Sequence, residues 1–298
     1  GVDDPRGIYG TTSNLSREFG QDRVVNMPLA EDAITGIASG SSMAGMRPIV
    51  VHERMDFMLL AMNQLINVAA KSHYMYGGAV KVPMVVRSII GRSWGQGAQH
   101  SQALHAWFAH VPGLRVVMPS TVSDARDLMI ASVLCNDPVV YIDDRWLYEQ
   151  EDELPPIVEL DLKSQKPLIT QKGVDITIVA SGHASLLARE SSKKLVAYNF
   201  SPEVIDVRVL NPLTIDGIVE SVMKTEHLLV VDSGWLSAGF SAEIVAKVIE
   251  ILPVDCLKMP PVRIALPDAP APTSRVLEKA YYTSIDDVVN AAKKILNN

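Results

Sequence analysis

Met27-Pro28-Leu29-Ala30-Glu31-Asp32-Ala33 runs straight into Ile34-Thr35-Gly36-Ile37-Ala38-Ser39-Gly40. The stretch reads as a helix of small and apolar residues with a carboxylate, Glu31, at its start. Such a residue packs poorly, but it suits a site where a basic group must share a proton in a dry crevice. Stabilisation of the helix N-terminus is the ordinary alternative, and Asp32 serves that equally well. Gly36 and Gly40 lie four apart on the same helix and permit close approach of a second helix, either in this chain or in another subunit.

Outward from this helix, short β-branched runs alternate with longer helical ones, which is the pattern of an α/β fold. Strands are expected at 48–51, 83–87, 115–118 and 139–142. Each is largely apolar, as in a parallel sheet covered on both faces. Helices are expected at 32–44, 56–75, 102–109 and 122–134, with Asp56 as an N-cap and Gly77-Gly78 as a stop. The pattern breaks after Trp146. Residues 149–153 are acidic, Pro155-Pro156 is stiff, and 163–172 lacks apolar periodicity, so 149–172 reads as a solvated linker. A second set follows: strands at 176–180, 204–207, 228–231 and 262–265, and helices at 184–197, 215–222, 238–251, 274–278 and 285–296. The expected organisation is therefore two domains, 1–148 and 173–298, each a mostly parallel sheet flanked by helices, and the two sheets separate.

The chain has 298 residues, 48% hydrophobic, with a net charge of −7. That length fits two domains, and the acidic balance argues against a nucleic-acid partner. No apolar run approaches the roughly 20 residues of a membrane helix, and no signal peptide is evident at the start. The two cysteines, Cys135 and Cys256, have no CxxC spacing. They suit a reducing cytoplasm, the expected location, and provide neither a disulfide framework nor a metal site.

About 70 residues beyond Glu31 comes Ala98-Gln99-His100-Ser101-Gln102, after a loop containing Gly91, Gly95 and Gly97. Imidazole titrates near neutral pH, so His100 is a candidate general acid or base. His110 reads as a helix-end residue and His183 as a loop or helix-start residue.

These motifs, together with Gly45-Met46-Arg47-Pro48 and Val111-Pro112-Gly113-Leu114, resemble the beta subunits of thiamine-diphosphate-dependent 2-oxoacid dehydrogenases, within the wider transketolase-like superfamily. Val222-Met223-Lys224-Thr225, Val231-Asp232-Ser233-Gly234-Trp235 and Pro267-Asp268-Ala269-Pro270 resemble the same family's C-terminal half. The resemblance implies a pyrimidine-binding domain followed by a transketolase C-terminal-like domain. In the family a helix and a buried strand precede a segment like Val2–Gly7, so the first strand is expected to be missing here. The resemblance assigns Glu31 to N1′ of the cofactor's aminopyrimidine, Phe57 to stacking on that ring, and His100 to the mouth of the site.

One segment departs from pyruvate-type relatives. His52-Glu53-Arg54-Met55-Asp56 is charged where they are largely apolar, and Glu53 aligns with a residue close to the pyrimidine. Glu53 either faces a polar ligand or pairs with Arg54 or Arg87, while Arg54 and Arg92 add charge near the site. Backbone carbonyls at 132–137 match a loop that binds a structural potassium ion in some relatives, although the side chains carry no such signal.

The family holds the cofactor diphosphate through Mg²⁺ on a Gly-Asp-Gly motif. That motif does not occur in this chain, and no Walker-type loop or GxGxxG replaces it. The resemblance thus implies a split site: an alpha-type subunit binds diphosphate and Mg²⁺, two alpha and two beta subunits form a heterotetramer, and a lipoyl acyltransferase or another acceptor takes the acyl unit. The rival readings are the C-terminal part of a split transketolase, a biosynthetic carboligase, and a non-catalytic scaffold, the last disfavoured by Glu31, Phe57 and His100 together.

Overall fold

The computed structural model of the chain describes residues 2, 7–91 and 94–297. A 3-10 turn and a short helix, α1 (Leu15–Phe19), precede α2 (Glu31–Met43). Strand β1 (Ile49–His52) leads into a helical rod made of α3 (Met55–Met58), a 3-10 turn (Leu59–Ala61), a π segment (Asn63–Ala69) and α4 (Ala70–Met75). Then come β2 (Val85–Ile90), α5 (His105–Ala109), β3 (Arg115–Val117), α6 (Val122–Leu134) and β4 (Val139–Asp144). The second half contains β5 (Leu168–Gln171), β6 (Ile176–Ala180), α7 (His183–Ala197), β7 (Pro202–Asp206), β8 (Val209–Asn211) and α8 (Asp216–Thr225). It closes with β9 (Leu228–Trp235), α9 (Phe240–Ile251), β10 (Val262–Leu266), α10 (Arg275–Tyr281) and α11 (Ile285–Leu296).

Two five-stranded sheets result, ordered β1-β2-β4-β3-β8 and β10-β9-β6-β7-β5. In each sheet every pairing is parallel except that of the last strand, which runs antiparallel at the edge. The mostly parallel, helix-flanked architecture is the one expected.

Several elements differ from the sequence reading. The helix expected at 56–75 has the right extent but an irregular hydrogen-bond pattern, to which apolar periodicity is insensitive. Asp56 does not cap it: Arg54 holds the cap position in extended conformation, and Asp56 lies inside the first turn. The linker contains β5, which pairs with β7. The sheets do not follow the expected division of the chain either, because β8 from the second half pairs with β3 and completes the first sheet. These strands are short, three or four residues, too few for a period-two pattern to declare itself.

One apolar core joins the halves. Val86, Val116 and Val140 of the first sheet belong to the same buried cluster as Val179, Ile205 and Val230 of the second. The Pro112-Gly113-Leu114 turn is shaped by this packing. Gly113 has φ +95°, and a Cβ there would come within 1.9 Å of Ala70 O. Any side chain would therefore drive α4 away from the entry to β3.

Candidate functional site

Strands β1, β2 and β4 are parallel neighbours, so His52, Ile90 and Asp144 end at the same edge. Ligands of open parallel sheets bind beyond such carboxyl ends. Helix α2 packs with Thr35 against the end of β1, Thr35 Oγ1 lying 3.1 Å from His52 Nε2. Glu31 is about one turn (~5.4 Å) nearer the helix N-terminus, and it therefore projects past the strand end. It is half-buried. Burial holds the His52 imidazole below its ordinary range, and the nearby Glu31 charge pulls it back up.

The peptide following β1 carries Glu53, Arg54, Asp56 and Phe57. Phe57 is partly exposed and meets the His100 ring edge-on, with centroids 5.3 Å apart. His100 ends a 3-10 turn, Ala98–His100. The structure thus brings Phe57 and His100 into direct contact and sets Glu31 beside His52. Glu53 is exposed, and among the described residues no hydrogen bond or ion pair reaches it. Pairing with Arg54 or Arg87 is not what it does. Arg54 donates to Gly91 O and Gln96 Oε1, and Arg87 Nε donates to Asp143 Oδ2. Arg92 lies outside the described residues.

Asp56 is buried and accepts from Gln102 N at 3.2 Å and Gln102 Nε2 at 2.9 Å. Burial raises its carboxyl above the usual range, and the Gln102 hydrogen bonds partly oppose that. At the same edge, Arg145 follows β4. Its guanidinium lies 4.1 Å from the Tyr9 ring centroid and 4.3 Å from that of Trp94. Gly97 shows why this loop is glycine-rich: its φ is +71°, and a Cβ would meet Thr273 Oγ1 at 2.8 Å.

Of the second-half motifs, the one containing Asp232 reaches the start of α5. Asp232 Oδ1 lies 2.9 Å from His105 Nε2, and its carboxylate also accepts from Gly234 N and Ser241 N. Asp268 accepts from Ser237 N and Oγ, and Ala269 O accepts from Trp235 Nε1. His183 opens α7 and stacks edge-on against Trp146, while His110 caps α5, both as expected. The sequence reading has Asp56 as an N-cap, Arg54 as charge near the site and His52 only as part of a charged run, and it assigns no role to Thr35, Tyr9, Arg145 or the His105–Asp232 pair. A titratable residue closing an apolar strand was the available signal for His52. The rest depend on contacts distant in sequence.

Gly36 faces this chain's own rod, at the Gln64 side chain, whereas Gly40 opens to space. The carbonyls of Val133 and Cys135 accept from Arg47 Nη1 at 2.7 and 2.9 Å. Arg47 thus reaches two of the carbonyls at 132–137. Among the described residues no group of three His, Cys, Asp or Glu side chains forms a metal site, and no helix is long and apolar enough to cross a membrane. A cavity of about 260 Å³ lies at the opposite edge, beside α4 and the starts of β3 and β4. Its charges, Arg115 and Asp137, neutralise each other at 2.7 Å.

The family model "Transketolase, pyrimidine binding domain" matches residues 1–150, and "Transketolase, C-terminal domain" matches 165–288. The mitochondrial pyruvate dehydrogenase E1 component subunit beta of Caenorhabditis elegans is 39% identical over 98% of this chain and 84% of its own length. The Homo sapiens protein of the same name is 36% identical over 98% and 82%. Pyruvate dehydrogenase E1 component subunit beta of Rickettsia bellii is 37% identical over 97% and 89%. A solved split gene transketolase, described as an inactive beta4 tetramer, shares the fold with a TM-score of 0.78, covering 95% of this chain and 88% of that one at 21% identity.

Proposed function

The chain belongs to the family of the pyruvate dehydrogenase E1 beta subunits, and from that premise we propose that it supplies the pyrimidine-facing half of a thiamine-diphosphate site that decarboxylates a 2-oxo acid. The observation that carries this reading is Glu31, a half-buried carboxylate projecting beyond the carboxyl ends of a parallel sheet. The residues present fit the group: a carboxylate to face a ring nitrogen, and a partly exposed aromatic ring, Phe57, to cover a heterocycle.

When bound, thiamine diphosphate supplies the carbon nucleophile and the electron sink. Glu31 shares a proton with the ring nitrogen it faces. Phe57 covers the ring and keeps water from it. His100, held by Phe57, gives or takes a proton at the acyl group. Glu53, exposed at this edge, remains available to the cofactor or to a covering subunit. Since Gly-Asp-Gly does not occur in the chain, an alpha-type subunit binds the diphosphate and Mg²⁺. Two copies of each subunit assemble, with the open face of α2 at Ala33, Ile37 and Gly40 available for subunit contact. A lipoyl group on an acyltransferase is the first candidate acceptor. Free thiols at Cys135 and Cys256 suit the cytoplasm.

A second reading, ketol transfer or carboligation with an anionic acceptor, is favoured by Arg145, which has no carboxylate partner among the described residues. It ranks second because Arg54, the other described cation that adds charge near the site, is engaged with Gly91 and Gln96.

Calorimetry tests the split site. With Mg²⁺, the chain alone should show no micromolar binding of thiamine diphosphate, and the complex with an alpha-type subunit should bind. Tight binding by the chain alone would overturn the reading. A panel of 2-oxo acids and ketoses with the reconstituted pair then identifies the donor.

A further inference from the structure

Arg54 and Asp56 are only 3% and 8% exposed, yet the proposed chemistry uses neither. A charged group withdrawn that far from water needs compensating partners. For both residues the side-chain hydrogen-bond partners lie in the segment that carries His100, and Arg54 also sits 5.5 Å from the Tyr9 ring centroid. Arg54 Nη1 donates to Gly91 O at 2.7 Å, at the root of the segment, and its Nη2 donates to Gln96 Oε1 in the middle. Asp56 Oδ1 takes two hydrogen bonds from Gln102, at the far end. Between them, Phe57 meets His100 itself. Four points of one segment are thus held from a single turn of chain, residues 54–57. The second half adds Gly95 N donating to Glu278 Oε1 at 3.1 Å.

The segment needs such holding. Among its described residues the only regular structure is the 3-10 turn Ala98–His100, and Gly91, Gly95 and Gly97 all have positive φ. Glycines in that conformation leave a loop with many alternatives. We propose that Arg54 and Asp56 are positioning residues for His100. They hold its loop in the working conformation within this chain, before an alpha-type subunit arrives. The effect on turnover rests on the role proposed for His100, but the clamp itself does not.

The two residues differ in what can replace them. Asp56→Asn keeps an acceptor at the Oδ1 position, whereas Asp56→Ala keeps none. Arg54→Lys keeps the charge but loses the planar fork that reaches two acceptors at once.

Amide hydrogen exchange on the full chain, alone and in the complex, tests the clamp. In Asp56→Ala and Arg54→Lys the amides of 94–102 should exchange about tenfold faster or more, with those of β2 and β4 unchanged. Asp56→Asn should stay within about twofold of the parent. In the complex, kcat of Asp56→Ala should fall by about tenfold or more at unchanged KM, while the Glu31-dependent exchange of the cofactor's C2 proton persists; Asp56→Asn should restore turnover. Equal acceleration across the whole sheet, undisturbed loop amides in Asp56→Ala, or an Asp56→Asn as impaired as Asp56→Ala would overturn the clamp. A loosened loop with full kcat would overturn its link to turnover. A parent complex without C2 exchange would overturn the proposed function instead, and the amide data would still decide the clamp.

Discussion

Glu31 lies close enough to His52 for its charge to act on the imidazole. Burial lowers the His52 pKa, and Glu31 raises it. With the folded value below the unfolded one, near 6.5, the unfolded chain binds the proton more readily. His52 therefore contributes stability above about pH 6.5 that is lost as pH falls through the lowered value. Glu31→Gln removes the raising influence, so His52 should titrate lower still, with the shift visible in its ring-proton NMR signals. An unmoved titration would mean that the two groups are not neighbours in solution. In the assembled enzyme the same substitution should slow C2 proton exchange by about 10²–10⁴, while the circular dichroism of the chain stays unchanged. Glu31 was legible in the sequence because a carboxylate is conspicuous among small residues. His52 was not assigned a role, because its neighbour Thr35 is brought to it only by the packing of α2 on β1.

At the scale of elements, α5 is pinned to β9 by the buried His105–Asp232 pair. Burial pushes the Asp232 carboxyl up, but His105 and the amides of Gly234 and Ser241 outweigh it and hold the pKa at about 2. The folded value lies below the unfolded one, about 3.9. The pair's stabilisation is therefore present above about pH 4 and lost as pH falls from there towards 2. His105→Ala leaves that carboxylate buried without its imidazole partner, and removing a hydrogen-bond partner from a buried charged group costs about 1–3 kcal/mol or more. The two remaining amide donors place the expected loss at the lower end. Urea denaturation at pH 7 measures it, and a loss under about 0.5 kcal/mol, typical of surface changes, would show the pair to be incidental. The Val231–Trp235 motif was legible as a motif, but not Asp232's task within it, since His105 lies far away in the chain. The rod of 55–75 shows the same limit: its apolar spacing fixes extent and face, while the π segment depends on backbone bonds that spacing does not encode.

The two halves form one molecule because polar and apolar contacts cross between them. The apolar part was half legible: every long strand and helix announced itself, but β8, three residues long, gave no sign that it would complete the other sheet. The polar part centres on Asp206 at the end of β7. Ser120 of the first half and Ser185 of the second both donate to it, and Arg189 Nη1 donates to Ser120 Oγ at 2.9 Å. Burial dominates and raises the Asp206 pKa to about 6, against the lowering effect of those hydroxyls and of Arg189. The folded value now lies above the unfolded one, about 3.9, so the sign reverses relative to Asp232. The contribution of Asp206 to stability is fully present below about pH 4 and is lost as pH rises through about 6. A shift of about two units amounts to roughly 3 kcal/mol. Asp206→Asn removes the titration and keeps an acceptor for the serines, whose hydroxyls rotate to receive the new amide protons. Relative to the parent, the variant should therefore gain about 1.4 kcal/mol of stability between pH 5 and pH 8, since roughly half of the Asp206 contribution is already lost by pH 5. Paired urea titrations at the two pH values give the difference directly. An equal effect of the substitution at both would mean that Asp206 keeps one protonation state across this range, and that the join between the halves is held by the shared apolar core without a pH-dependent part.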